Sequence, residues 1–406
     1  MQPDNPYGVT CAINDATSLL HAQAIFDAVT LGLGWIRLQR DASLIWVNQS
    51  DPTSAWSWNT LDDAVSRCKA AGLHVSFVLR AMPSWAFGPG NPNSAQTTTQ
   101  PTYVADPAVA AQFAGAVAAR YNGVFSIPGY GPLALDAIEC GNEEYDSVFV
   151  SGATRGLYNS PYSIYNGLTT VDSNHQPARD PHFYAPILKA ESAAIRANHP
   201  QCKVGMCALW WFYKENYTYF LQGMYDEGCL GKFDFANVHF YSNTWDPMTP
   251  SGGGVTVHTP GFVDMWTNLK NVMAANGDAG RQVWLTEIGW GTTTQGGGID
   301  CDESTQAARY QEVLDSARTS KVLSKLFFFT LSGYVKPSAQ VDTGSLVQGG
   351  TSGWRYLAAF TTIKNNITSY PFWSLLYPKS LSMVASDGKL AMVASDGNLP
   401  LREVSP

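Results

Sequence analysis

The sequence predicts an α/β fold, a (β/α)8 TIM barrel with a small C-terminal β appendage, and three observations carry that prediction. Apolar runs of strand length alternate with helix-length segments across residues 7–370, the pattern of a parallel sheet wrapped in helices. Two of these runs end in carboxylates followed by glycine, on opposite sides of the chain's midpoint: Val283-Trp284-Leu285-Thr286-Glu287-Ile288-Gly289 and Leu133-Ala134-Leu135-Asp136-Ala137-Ile138-Glu139-Cys140-Gly141-Asn142-Glu143. A carboxylate at the end of a buried strand is costly unless something there uses its charge. The alternative, a doubly wound open sheet, lacks support because no glycine-rich phosphate loop follows an early strand.

The elements follow in order. Tyr7 to Thr10 reads as a first strand, and Ala16 to Thr30 as a helix with Leu19, Leu20, Ala24 and Val29 near helical spacing. Gly34 to Gln39 is the second strand; its Arg37 sits in an apolar frame, which predicts a buried partner for a carboxylate. A loop rich in tryptophan (Trp46, Trp56, Trp58) precedes a helix from Thr60 to Ala71, closed by Gly72. His74 to Leu79 is the third strand. The stretch from Gly88 to Asp106 is a loop of glycine, proline, serine and threonine. It is no domain linker, because a helix (Pro107 to Tyr121) and the fourth strand resume the alternation. Helices at Tyr184 to Asn198, Tyr217 to Glu227, Phe262 to Ala275 and Ser304 to Arg318 then interleave with strands at Lys203 to Leu209, Phe233 to Tyr241, Val283 to Glu287 and Lys325 to Leu331. Trp354 to Lys364 is a last helix. The longest loops follow the carboxyl ends of strands, where barrel active sites lie. Residues 7–370 therefore form the catalytic barrel, and 371–406 a short β-rich tail packed on it. That tail repeats Met-Val-Ala-Ser-Asp-Gly at Met383 and Met392, and Asp-Gly is a hairpin turn signal.

Composition narrows the function. A net charge of −8 gives no electrostatic reason to expect nucleic acid or an anionic membrane as partner, and no run of 18 apolar residues exists to span one. Aromatics reach 12%, an excess that fits stacking on sugar rings as well as bulky packing. The seven cysteines show no metal-site spacing, and their odd number leaves at least one unpaired; Cys140, inside a strand, reads as a buried thiol. Met1-Gln2-Pro3-Asp4-Asn5-Pro6 does not read as a signal peptide, so the expected secreted or cell-envelope location supposes one already removed. The chain is expected to be a monomer.

Asn142-Glu143 after the fourth strand and Glu287 at the end of the seventh place two carboxylates across one pocket, the arrangement of a retaining glycosidase. With Pro83-Ser84-Trp85-Ala86 after strand three, Glu139-Cys140-Gly141-Asn142-Glu143 and Thr286-Glu287, the chain resembles clan A of the glycoside hydrolases, and within it family 39 and its bacterial relatives. The resemblance covers most of the barrel and leaves out the tail. Two features depart from the pattern: Glu144 stands where proline is common, and Phe327-Phe328-Phe329-Thr330 lacks the tryptophan that usually floors the sugar subsite.

The resemblance implies a hydrolase of β-glycosidic bonds that acts by double displacement, with a carbohydrate partner and neither cofactor nor metal. It makes Glu287 the nucleophile and Glu143 the acid/base, with Arg37 and Tyr241 orienting the nucleophile and Asn142 bonding the substrate's 2-hydroxyl. His239 shares a strand with Tyr241 and has two readings, substrate contact or core hydrogen bonding. Glu139 reads as a buried structural group. Trp85, Trp210 and Trp290, with Trp211 and Trp245, follow strand ends; each has a packing reading, but as a group they favour a cleft for several sugar units. An endo-acting enzyme on a polysaccharide or long oligosaccharide is thus expected, with an exo-β-glycosidase or a non-catalytic glycan-binding barrel as alternatives. A metal-dependent barrel hydrolase would need paired histidines near the first strand, and Tyr7 to Ile13 has none.

Overall fold

The computed structural model describes residues 5–13, 18–46, 56–80, 107–142, 181–210, 214–241, 261–292, 301–331, 346–350, 353–370, 381–386 and 389–394. Strand β1 (Tyr7–Ala12), helix α1 (Ser18–Leu31), strand β2 (Trp35–Asp41), a single turn α2 (Ala42–Ile45) and helix α3 (Asn59–Ala70) open the chain. Next come β3 (His74–Arg80), α4 (Pro107–Arg120), a hairpin of β4 (Asn122–Ile127) and β5 (Gly131–Ala134), then β6 (Ala137–Glu139) and α5 (Pro181–Asn198). The second half runs β7 (Lys203–Gly205), β8 (Leu209–Trp210), α6 (Lys214–Asp226), β9 (Phe235–Phe240), α7 (Phe262–Ala275), β10 (Gln282–Ile288), α8 (Glu303–Ser320) and β11 (Lys325–Phe328). A hairpin of β12 (Val347–Gly350) and β13 (Gly353–Tyr356), helix α9 (Ala358–Ser369) and a last hairpin of β14 (Leu381–Ser386) and β15 (Lys389–Ala394) complete it.

Eight of the strands close a parallel barrel in the order β1-β2-β3-β6-β7-β9-β10-β11 and back to β1. The expected (β/α)8 barrel is therefore the observed fold. Its wall is buried on both faces: Ile36, Leu38, Val75, Val204, Val238, Val283 and Leu285 are all at most 1% exposed, packed outward against the helices. Inside, at the amino-terminal end, Trp35, Ala137, Phe235, Trp284 and Phe327 form a separate apolar cluster. Phe235 stacks on Trp284 at 3.7 Å between centroids, and Trp35 meets Trp284 edge-on at 5.2 Å. Two glycines make room for these rings. A Cβ on Gly8 would lie 2.5 Å from the Phe327 ring, and one on Gly205 2.5 Å from Phe235. This aromatic floor closes the barrel below, and the polar side chains farther along the inner faces of β2, β9 and β10 stand above it.

Several elements differ from the sequence expectation. The fourth barrel strand is only three residues long, because Gly129 and Gly131, at φ 86° and 77°, turn the preceding residues into the β4–β5 hairpin. The fifth strand, expected to run unbroken from Lys203 to Leu209, is split. Met206 and Cys207 leave the ladder, Cys207 N–H donating to Tyr184 Oη; Ala208 N–H donates directly to the Asn142 carbonyl, and β8 pairs with β9 from Leu209. Trp354 lies on β13, opposite Gly349, and not in the last helix, which starts at Ala358. Cys11, Cys68, Cys140, Cys202 and Cys229 are free thiols, and Cys140 is buried. Ser386 pairs with Lys389 in the tail hairpin, and the expected turn at Asp387-Gly388 lies outside the described residues. The tail's packing on the barrel lies outside the described side chains. Among the described residues no helix is long and apolar enough to cross a membrane.

Candidate active site

Successive residues of a strand point to opposite faces, so Trp35, Arg37 and Gln39 share the inner face of β2. Trp35 belongs to the aromatic floor, and Arg37 and Gln39 stand above it. Arg37 is fully buried and reaches three partners. Its Nε donates to both oxygens of Glu139 at 3.0 and 2.9 Å, Nη1 to Glu287 Oε1 at 2.7 Å, and Nη2 to Asn142 Oδ1 at 3.0 Å. Burial opposes the arginine's charge, but the Glu139 and Glu287 carboxylates outweigh it and keep the guanidinium firmly protonated. Glu139 also accepts from Ser76 Oγ and Asn237 Nδ2, both at 2.8 Å. It is wholly enclosed, as expected of a structural counter-ion.

Glu287, at the end of β10, is held at both oxygens. Oε1 accepts from Arg37 Nη1 and from Gln39 Nε2, each at 2.7 Å; Oε2 accepts from the Tyr241 hydroxyl at 2.6 Å. His239 Nδ1 lies 3.4 Å from Oε2. Burial alone would raise this carboxyl's pKa. The His239 ring, the Arg37 charge and the hydrogen bonds from Tyr241 and Arg37 more than offset it and hold Glu287 below the ordinary carboxylate range. The group is thus a buried carboxylate kept ionised, with its orientation fixed from two sides. Asn142, just past β6, turns its Oδ1 to Arg37 Nη2 and to Gln39 Nε2 at 3.2 Å.

The structure brings Arg37, Asn142, His239, Tyr241 and Glu287 together at one end of the barrel. His239 is fully buried and faces Glu287. Trp290 is separate: it is 1% exposed, meets Tyr310 edge-on at 5.1 Å, and its carbonyl accepts from Gln306 Nε2, all beneath α8. Of its two readings the structure shows the packing one. Glu143, Trp85, Trp211 and Trp245 lie outside the described residues, and Trp210 is described only by its backbone in β8. Gln39 is the residue the sequence reading missed. Its signal was its spacing, two residues beyond Arg37 on the same strand face. Phe329, just past β11, is half-buried and stands edge-on to Tyr241 at 6.0 Å.

A cavity of about 440 Å³ opens at the opposite, amino-terminal end of the barrel. Its Arg196 pairs with Asp234 and its Arg281 with Asp278, so its charges serve the strand starts. Among the described residues no group of histidine, cysteine and carboxylate side chains is placed to hold a metal.

No family model matches the sequence, and no curated protein matches it. Solved structures do match in fold. A family 39 glycoside hydrolase from the gut symbiont Bacteroides cellulosilyticus WH2 superposes with a TM-score of 0.62 at 14% identity, over 97% of this chain and 71% of that one. An endo-β-1,4-mannanase from Thermotoga petrophila gives 0.53 at 12% identity, over 91% and 77%. A thermostable mutant of a xylanase from Cellvibrio japonicus gives 0.54 at 13%, over 90% and 98%. At these identities the likeness is one of fold. The first of the three belongs to the family whose motifs the sequence resembles.

Proposed function

We propose that this chain is a retaining glycoside hydrolase that cleaves β-glycosidic bonds through Glu287 as nucleophile and Glu143 as acid/base. The observation that carries the reading is the Glu287 carboxylate, buried at the carboxyl end of the seventh barrel strand and held ionised by Arg37, Gln39 and Tyr241. A carboxylate so placed is ready to attack an anomeric carbon and form a glycosyl-enzyme. Glu143, directly after Asn142, would protonate the departing oxygen and later deprotonate water, across a gap of roughly 5–5.5 Å. Two carboxyls with these roles need pKa values pushed apart, and His239 and Arg37 supply the push on the nucleophile's side. The match in fold to a family 39 hydrolase, a mannanase and a xylanase supports a carbohydrate substrate. Endo attack on a β-glycan is the mode favoured by the tryptophans in loops after the strand ends, and analysis of early products separates it from exo attack.

The test uses two variants. Glu287→Gln should abolish hydrolysis of every β-glycoside with the fold intact. Glu143→Gln should cost about 10²–10⁴-fold on unactivated glycosides, the usual contribution of a positioned acid; with dinitrophenyl glycosides, whose leaving group needs no proton, kcat/KM, which reports the first step, should be largely spared, while turnover stays slow because water has lost its base. Identical behaviour of the two variants on activated substrates would refute the assignment of roles.

A further inference from the structure

The segment that ends the fourth barrel strand is tied to the fifth by an unusual set of bonds. Cys140 N–H donates to the Gly205 carbonyl at 2.9 Å in the ordinary parallel manner. Beyond this point the strands separate, and the next rung is made through a side chain. The Tyr184 hydroxyl of α5 donates to the Cys140 carbonyl at 2.5 Å and accepts from Cys207 N–H at 2.6 Å. The last rung is direct again, from Ala208 N–H to the Asn142 carbonyl. Tyr184 is 2% exposed and fully enclosed. A second residue on the same helix grips the same spot: Glu191, seven residues on and 4% exposed, hydrogen-bonds the Cys140 thiol. Between the inserted hydroxyl and the last rung, Gly141 adopts φ 105°, and Asn142 turns its amide inward to Arg37 and Gln39. Without the hydroxyl, a carbonyl and an N–H would be buried and unpaired, or the strands would zip together and carry Asn142 out of register.

We propose that Tyr184 is a positioning residue of the active site: its hydroxyl holds the ends of strands four and five apart and so sets the place of Asn142 and of Glu143 after it. The proposal rests on the glycosidase reading for its catalytic half. It makes α5 part of the machinery that aims the acid/base, although no atom of Tyr184 reaches the substrate.

Tyr184→Phe keeps the ring and removes the bridge. Hydrogen exchange on the free protein should show the Cys207 and Ala208 amides well protected in the unaltered chain and exchanging about 10- to 100-fold faster in the variant, as expected for loss of one buried hydrogen bond. The kcat/KM for unactivated β-glycosides should fall about 10- to 100-fold, with that for dinitrophenyl glycosides changing little, since only the former need a well-placed acid in the first step. A loss equal on both substrate classes means Tyr184 supports the fold and does not aim the acid, and overturns the proposal. So do unchanged exchange in the variant and poorly protected Cys207 and Ala208 amides in the unaltered chain. An unaltered chain that hydrolyses no β-glycoside overturns the glycosidase reading and the catalytic half with it, and exchange still decides whether the hydroxyl holds the two strands.

Discussion

Two buried glutamates in this protein have opposite fates, and the difference lies in their neighbours. Glu287 meets Arg37, Gln39, Tyr241 and His239 and stays below the ordinary carboxylate range. Glu191 meets one thiol, from Cys140, and its Oε2 has no hydrogen-bond partner. Burial therefore pushes Glu191 up from the ordinary 4.5 to about 8. Cys140 faces it from the fourth strand, Cys202 and Cys207 lie near that thiol on the fifth strand's side, and Tyr184 comes from its own helix; none supplies a positive charge. The consequences for stability have opposite signs. Glu287 stabilises the fold above the unfolded carboxyl value, and that contribution is lost as pH falls through its depressed value. For Glu191 the folded state holds the proton more tightly, so its penalty begins as pH rises past 4.5 and is complete above about 8, where it is on the order of a few kcal/mol. Glu191→Gln should accordingly leave the melting temperature at pH 4 nearly unchanged and raise it at pH 8.5, flattening the decline between them. A parallel decline in both proteins would place the alkaline loss elsewhere. Of these residues Arg37 was legible in the sequence because a charge in an apolar strand must have a partner. Glu191 was not, because an acid in a helix looks solvent-facing until the barrel is packed against it.

At the scale of elements, the chemistry depends on strands whose inner faces change character from one end to the other. Strands β2, β9 and β10 carry Trp35, Phe235 and Trp284 low in the barrel and Arg37, Asn237 and Glu287 above. The rings must fit first, and Gly8 and Gly205 are the residues that let them. Gly8→Ala would put a methyl 2.5 Å from the Phe327 ring and 2.9 Å from Trp35 Cβ. Overpacking of this kind costs about 1–3 kcal/mol. Denaturant unfolding should show the unfolding free energy lowered by that amount, read as a lower midpoint at an unchanged slope; an unaltered midpoint would mean the floor can shift to accept a methyl group. Elements with local determinants were readable in advance. Helix α8 starts where Asp302 accepts from Thr305 N–H, and α7 has the bounds its periodicity predicts. The split of the fifth strand was not readable, because its cause is Tyr184 and Asn142, 23 and 66 residues away in the chain. Nor was β13, where Trp354 answers to a hairpin partner and not to helical spacing.

For the whole molecule the question is where the folded unit ends. Helix α9 buries Ala359, Phe360, Ile363, Asn366 and Ile367 in the core shared with the barrel's outer wall. Asn366 Oδ1 accepts from Arg318 Nη1 at 3.1 Å, and that guanidinium lies over the Tyr370 ring at 4.1 Å, so α8 and the end of α9 are fastened together. The β12–β13 hairpin before α9 is fastened as well, since the Tyr356 hydroxyl donates to Asp27 of α1 at 2.9 Å. Three large apolar side chains at about 1.5–3 kcal/mol each bring the burial in α9 close to the entire net stability of a typical domain. The barrel therefore needs the chain through Tyr370. By contrast, the β14–β15 hairpin pairs with itself through a complete six-residue register. This asymmetry supports, as a proposal, the boundary expected near residue 370. A chain ending after Tyr370 should keep its melting temperature within a few degrees and its rate on soluble β-glycosides, whereas one ending before Ala358 should fail to fold, as read by circular dichroism and thermal unfolding. If removal of 371–406 unfolds the barrel, the tail is an integral part of the domain and not an appendage.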